Sequence, residues 1–238
     1  MGVYESGIYE SGVYESGVYK SGSEDTVTIG GRTYKTVKIG DQVWLAENLD
    51  FVFDGLVVGE DTSTEEPRAN YFNNDERTYG WNGAKYGLLY NWISVAYLES
   101  HKSELLPAGW RVPVDNDWKL LIYTLGYTNV GTKLKSTTGW TSGNGDGSTA
   151  FSAFPAGYFT AAGNFLNIGS FAYFWTNLEA DSSTDAYYRY LSANSSSLGS
   201  YSRSKAVGNS VRLVKDTPAA LLGGPLLGSS NTEATDGE

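Results

Sequence analysis

Residues 108–126 read AGWRVPVDNDWKLLIYTLG. From Asp115 onward this stretch predicts a helix. Asp115 or Asp117 can cap its N-terminus, and Gly126 sits where helices commonly stop. Upstream, KYGLLYNWISVAYL (85–98) places Leu88, Leu89, Trp92, Ile93 and Ala96 at helical spacing and predicts another. Around these two segments the chain reads as short strands and turns. TVTIG (26–30), RTYKTVKIG (32–40) and DQVWLAENL (41–49) alternate apolar with polar residues, with Gly-Gly and Gly-Asp between them, and predict a β-meander. GTKLKS (131–136), FSAFPAGYF (151–159), FAYFWTN (171–177), DAYYRYLSA (185–193) and NSVRLVKD (209–216) predict further strands. Residues 52–83 are polar and read as a long loop, and GNGDGST (143–149) reads as a turn. Two helices among mainly antiparallel short strands make an α+β domain.

The chain of 238 residues is 14% aromatic and holds seven Trp. Disordered chains are poor in aromatics, so most of it is expected to fold. Trp44, Trp92, Trp110, Trp118, Trp140 and Trp175 each sit among apolar neighbours and are expected in or near the core.

Two arms flank the body, which spans 26–216. Residues 2–22 repeat a five-residue unit: GVYES, GIYES, GVYES, GVYKS, then Gly22. A period of five fits neither a strand face nor a helix face. It suits units that turn at Ser-Gly, or several copies winding together. The pentapeptide-repeat arm, 1–25, is therefore expected to be an oligomerisation or docking element, giving a homo-oligomer such as a trimer. The tail, 217–238, is rich in Pro, Gly and Ser, with an apolar knot from Leu221 to Leu227 that could dock. The arms are acidic. Glu5, Glu10, Glu15, Glu24 and Asp25 stand against Lys20, and Glu233, Asp236 and Glu238 end the tail, which leaves the body only −3 of the net −10. No basic stripe forms, so no nucleic-acid partner is expected.

The chain has no cysteine, which excludes disulfides, thiolate metal sites and Cys nucleophiles. Its one histidine, His101, follows a helix among charges and reads as a surface residue. Carboxylate pairs occur (Asp115 with Asp117, Asp181 with Asp185, and the run Glu60, Asp61, Glu65, Glu66), as they do in any acidic protein. Asp115 and Asp117 are better read as helix-start residues. No phosphate-cradling glycine loop, cofactor motif or metal-ligand set is recognisable, and the expectation is a protein that is not an enzyme. MGVYESGIYE lacks the basic and apolar segments of a signal peptide, and no apolar run approaches the ~20 residues of a spanning helix, so no membrane insertion is expected.

Taken in order, YKTVKIGDQVWLAENL, KYGLLYNW, AGWRVPVDNDWKLL, FWTNLEADSSTDAYYRYL and GNSVRLVKD resemble the Fibrobacter-type major paralogous domain, from about Thr26 to Asp216. The resemblance implies a C-type-lectin-like fold in which the N- and C-terminal strands share a sheet flanked by two helices. It also implies kinship with retroelement-diversified variable proteins, which display changeable side chains from a C-terminal strand-and-loop region. Val114 stands where a Thr cap is expected, and Leu213 where many relatives have Cys. The formylglycine-generating activity of related enzymes depends on cysteines and is excluded. The calcium-lectin motifs are missing, since Glu65-Glu66-Pro67 continues with Arg68, and calcium-dependent sugar binding is not implied.

The C-terminal segment YYRYLSANSSSLGSYSR (187–203) combines tyrosines, serines and arginines. If DAYYRYLS is a strand, Leu191 faces the core with Arg189 and Tyr187 on its side, while Tyr188, Tyr190 and Ser192 point outward. ANSSSLGS is the turn, and Tyr201, Arg203 and Lys205 alternate on the return strand. Large, stiff tyrosines among small adaptable residues are paratope-like. The candidate ligand-binding residues are Tyr173, Tyr188, Tyr190, Ser192, Asn194, Tyr201, Arg203 and Lys205. The expected function is non-enzymatic display of this face to a host-surface protein or glycan. The expected setting is a phage virion, where the arm contacts other virion proteins. A structural decoration protein without a ligand is the alternative.

Overall fold

The computed structural model describes residues 25–59, 66–76 and 86–216. The expectations for the repeat arm and the tail lie outside the described residues. The strands are β1 (Thr26–Ile29), β2 (Arg32–Ile39), β3 (Gln42–Leu45), β4 (Val57–Val58), β5 (Arg68–Asn70), β6 (Leu89–Tyr90), β7 (Trp110–Arg111), β8 (Tyr158–Phe159), β9 (Phe165–Leu166), β10 (Phe171–Glu179), β11 (Asp185–Ser192), β12 (Gly199–Ser204) and β13 (Val214–Lys215). The helices among the described residues are α1 (Trp92–Ser100), α2 (Lys102–Leu105), α3 (Asp115–Thr124) and α4 (Val130–Leu134).

Strands β1, β2 and β3 form the expected antiparallel meander. Gly30 and Gly31 both take positive φ, 57° and 79°, the two-residue turn whose twist matches its strands. β13 pairs antiparallel with β3 on one side and β7 on the other, completing a five-stranded sheet, β1-β2-β3-β13-β7. The first and last strands of the described body thus share one sheet. A second antiparallel sheet, β10-β11-β12, carries the tyrosine-rich segment.

The helices depart from the sequence reading at three places. Leu88 and Leu89 are not helical. β6 pairs with β5, and α1 starts only at Trp92, because Asn91 Oδ1 accepts from Ser94 N–H at 2.9 Å and caps it. GTKLKS is not a strand: Val130–Leu134 is a single helical turn that buries Val130 and Leu134. α2 is a further short helix, so the two expected helices have two smaller companions. The start of α3 also differs in detail. Val114 holds the N-cap position, and its side chain can accept nothing. Asp117 Oδ2 instead accepts from the Val114 N–H at 2.7 Å, half of a capping box.

Asp115 has another task. Its Oδ1 accepts from the Arg189 guanidinium, and its Oδ2 pairs with Lys119 at 2.8 Å. Burial alone would raise its pKa, but Lys119 and Arg189 together hold it below the ordinary value. A carboxylate depressed in the folded state stabilises fully above its unfolded value, about 3.9, and loses that contribution as pH falls through its folded value. Asp115→Asn should therefore be about 1–3 kcal/mol less stable than wild type at pH 7. The gap should narrow as pH falls below the unfolded value, which urea unfolding at pH 7 and in acid would check.

The β10-β11-β12 sheet is covered on both faces. On one, Ala172, Phe174 and Leu191 join Trp44, Trp118, Leu121 and Phe151, with Phe174 stacked on Trp118 at 5.8 Å. On the other, Tyr173, Trp175, Ala186 and Tyr188 join Trp92, Val95 and Leu98 of α1. Indole N–H groups stitch this second layer: Trp92 Nε1 donates to the Thr176 carbonyl at 3.0 Å, and Trp175 Nε1 to the Tyr90 carbonyl at 2.7 Å. All six tryptophans expected in the core are buried. Arg212, from the C-terminal motif, is buried where that motif crosses the N-terminal one, bonding Asn48 Oδ1 and the Leu45 carbonyl.

Candidate functional site: a tyrosine face on the second sheet

Period-two alternation on β11 sends Leu191 and Arg189 to the α3 side and Tyr188, Tyr190 and Ser192 to the other. The register aligns their neighbours. Tyr173 of β10 opposes Tyr190, Trp175 opposes Tyr188, and Tyr201 of β12 opposes Tyr188. The result is a depression of about 240 Å³ lined by Phe171, Tyr173, Tyr188, Tyr190 and Tyr201. Among the described residues, no carboxylate, imidazole, amine or aliphatic hydroxyl lines it.

Each lining ring is held by its neighbours. Phe171 lies nearly parallel to Tyr173, with centroids 5.4 Å apart. Tyr188 meets Tyr173 edge to face at 5.7 Å and Trp175 at 6.1 Å. Tyr190 opposes Gly199, and a Cβ at Gly199 would fall 2.3 Å from the Tyr190 ring. Only glycine there lets the ring lie across β12, as aromatic cover of a strand glycine requires. Tyr201 is the open edge, 68% exposed.

Exposure differs from the alternation reading at Tyr188. It points to the expected face, but that face is layered by Trp175, Tyr173 and Arg203, and Tyr188 is buried. It forms the floor of the depression rather than an outward contact. Arg203 does not reach outward either. Its guanidinium packs 4.1 Å from the Tyr188 centroid, 4.3 Å from Tyr173 and 4.6 Å from Tyr158, while Nη1 donates to Asn209 Oδ1 at 3.2 Å. It is a clamp beneath the rings. Lys205 lies away from the depression, donating to the Ser183 carbonyl at 2.7 Å, pairing with Glu179 and sitting over Trp92. Burial pushes the Tyr173 hydroxyl's pKa up, against the pull of Asn167 and Arg203, so it stays protonated. That hydroxyl accepts from Asn167 Nδ2 at 3.0 Å. Among the described residues, no hydrogen bond engages the hydroxyls of Tyr188, Tyr190 or Tyr201.

The serine-rich turn is anchored rather than slack. Lys135, buried and among the described residues without a carboxylate partner, donates to the Ser192 and Ser195 carbonyls, both at 3.1 Å. Burial lowers its pKa. Gly131 N–H donates to the Ser196 carbonyl at 2.7 Å, and a Cβ on Gly131 would come within 2.5 Å of the Ser197 carbonyl. Ser142 Oγ donates to Asn194 Oδ1 at 3.0 Å. Asn194 is therefore exposed on a fixed turn, and half-buried Ser192 sits opposite Phe171 at the end of the depression; neither lines it.

Two aromatic members were missed by the sequence reading. Phe171 was legible in principle, two residues before Tyr173 on one strand. Tyr158 arrives from the β8–β9 hairpin, and no local pattern announces it. His101 stacks on Tyr97 at 4.1 Å, with Nδ1 beside the Tyr97 carbonyl and Ser100 Oγ. Among the described residues, no three His, Asp or Glu side chains group to hold a metal ion. None of the described helices is long and apolar enough to cross a membrane.

A family model, the Fibrobacter succinogenes major domain, matches residues 37–215, three quarters of the chain. The match runs from the last residues of β2 to β13, without β1, and takes in the whole tyrosine face. No curated protein and no solved structure matches.

Proposed function

We propose a function for a chain that belongs to the Fibrobacter succinogenes major domain family: it is a non-enzymatic binding protein that presents its tyrosine face to a ligand on a host-cell surface. The observation that carries this is the aromatic depression itself, rimmed by Tyr190 and Tyr201 and bearing three hydroxyls that the protein leaves unengaged. Stiff aromatic contact area beside an anchored, serine-rich turn lowers the entropy lost on binding. The sheet separates its tasks. Leu191 and Arg189 hold the scaffold on one side, while Ser192, Asn194 and Tyr201 are accessible on the other, with half-buried Tyr190 between them. That division supports a C-type-lectin-like display domain of the variable-protein kind. The proposed setting is a virion, with the repeat arm contacting other virion proteins or further copies of the chain.

The test is binding of the purified full chain to whole cells of a panel of bacteria, wild type against the Tyr190→Ala, Tyr201→Ala double variant. Tyr201 is largely exposed and Tyr190 is half-buried over Gly199, so the melting temperature should fall by only a few degrees, and binding is measured well below it. Affinity for any cell that binds wild type should fall about 30-fold or more, as for loss of two aromatic hot spots. An unchanged binding curve would remove the tyrosine face from the account.

A further inference from the structure

We infer that the ligand group seated in the tyrosine depression is a single pyranose ring, neutral or acidic, presented by a surface glycan; this rests on the binding role proposed above for the same face. Size comes first. A depression of about 240 Å³ falls below the 300–1,000 Å³ of drug-sized pockets, so it takes one ring rather than a folded surface. A protein partner would need about 800 Å² on each side. Of the lining aromatics, only Tyr201 is largely exposed, while Tyr173 and Tyr188 are buried.

Chemistry comes second. The lining offers flat apolar ring faces together with the unengaged hydroxyls of Tyr188, Tyr190 and Tyr201. A pyranose is complementary in both respects. Its axial C–H groups form an apolar face that lies on an aromatic ring, and its ring of hydroxyls gives and accepts hydrogen bonds at the edge. A purely apolar ligand would leave the three phenols desolvated and unpaired, which is unfavourable.

Charge comes third. The site already holds a cation: the Arg203 guanidinium rests on the faces of Tyr173 and Tyr188. It draws on the ring electron density that a second cation would need, and it repels one directly. An amino sugar or a quaternary amine is therefore selected against. An acetamido or carboxylate substituent is not, since both are oxygen acceptors for phenol donors polarised by Arg203.

The experiment is saturation-transfer and chemical-shift NMR on the full chain with a defined panel. The probes are methyl glucopyranoside, methyl galactopyranoside, methyl mannopyranoside, N-acetylglucosamine, galacturonate, glucosamine and choline. At least one neutral or acidic pyranose should receive saturation and shift tyrosine resonances, and glucosamine and choline should do so more weakly. Tyr188→Phe, Tyr190→Phe and Tyr201→Phe keep the rings and remove one hydroxyl each. Each should weaken that probe's binding about two- to tenfold. Periodate treatment, which cleaves sugar diols, should also abolish capture of the protein by cells that bind it.

The ligand class is overturned if no pyranose in the panel touches the tyrosines, or if cell capture survives periodate and is lost to protease instead. In the second case a protein is the ligand and the tyrosine face stands. If Tyr190→Ala with Tyr201→Ala leaves cell capture unchanged, the face itself is wrong, whatever the sugars do.

Discussion

Arg212→Ala should destabilise the protein by about 3–5 kcal/mol, enough to unfold a marginally stable domain at physiological temperature. Arg212 is fully buried, and among the described residues no carboxylate pairs with it. Its charge is met by dipoles. Nε donates to Asn48 Oδ1 at 2.9 Å, Nη1 to the carbonyls of Leu45 and Phe151, and Nη2 to the Ser152 carbonyl at 3.0 Å. The guanidinium also lies 4.5 Å from the Phe151 ring centroid. Burial pulls its pKa down to about 9 while Glu47 pulls it up, so it stays charged at neutral pH. Truncation would leave four acceptors without a donor and a cavity among Phe151 and Phe174. Arg212→Lys should recover little, because a point ammonium cannot reach four acceptors spread around a planar fork. Equilibrium unfolding in urea measures both. A midpoint for Arg212→Ala close to wild type would show that the crossing of the two terminal motifs does not depend on this side chain.

Trp175→Ala is expected to lower the melting temperature by roughly 6–20 °C, from a loss of about 3–5 kcal/mol in a protein of this size. The indole is fully buried, donates to the Tyr90 carbonyl at 2.7 Å and supports Tyr188 edge-on at 6.1 Å. Trp175→Phe fills most of the space and isolates the lost hydrogen bond, so it should cost only about 1–3 kcal/mol. Its effect on ligand binding should be smaller than that of Trp175→Ala, in which the floor under Tyr188 is gone. Thermal melts with binding measured below each midpoint separate the two effects.

The sequence made some of this legible and hid the rest for physical reasons. The meander was readable from its Gly turns and from alternation in the first half of β2, where Tyr34 and Thr36 go inward while Thr33 and Lys35 stay exposed; Val37 and Ile39 then bury the opposite face. The β11 orientation was readable for the same reason, since Leu191 and Arg189 could only share a side. Alternation names a face, however, and says nothing of what covers it. Tyr188 was expected outside because nothing in DAYYRYLS reveals that Trp175 and Arg203 layer over its face. The start of α1 was misplaced because Leu88 and Leu89 satisfy helical spacing equally well as buried extended residues. The decisive signal was Asn91, whose Oδ1 takes both the Arg68 N–H and the Ser94 N–H. Tyr158, Asn167 and Asn209, which complete the support around Arg203 and Tyr173, come from separate segments, so no window along the chain contains the site.

Hydrogen–deuterium exchange on the full chain, with and without an envelope fraction from cells that capture it, tests the central claim most directly. The tyrosine-face account predicts added protection at 171–173 and 188–203, the strands and turn around the depression, with little change elsewhere. Protection confined to the exposed Leu120, Tyr123 and Tyr127 side of α3, or to the groove at Leu106–Trp110, would contradict it.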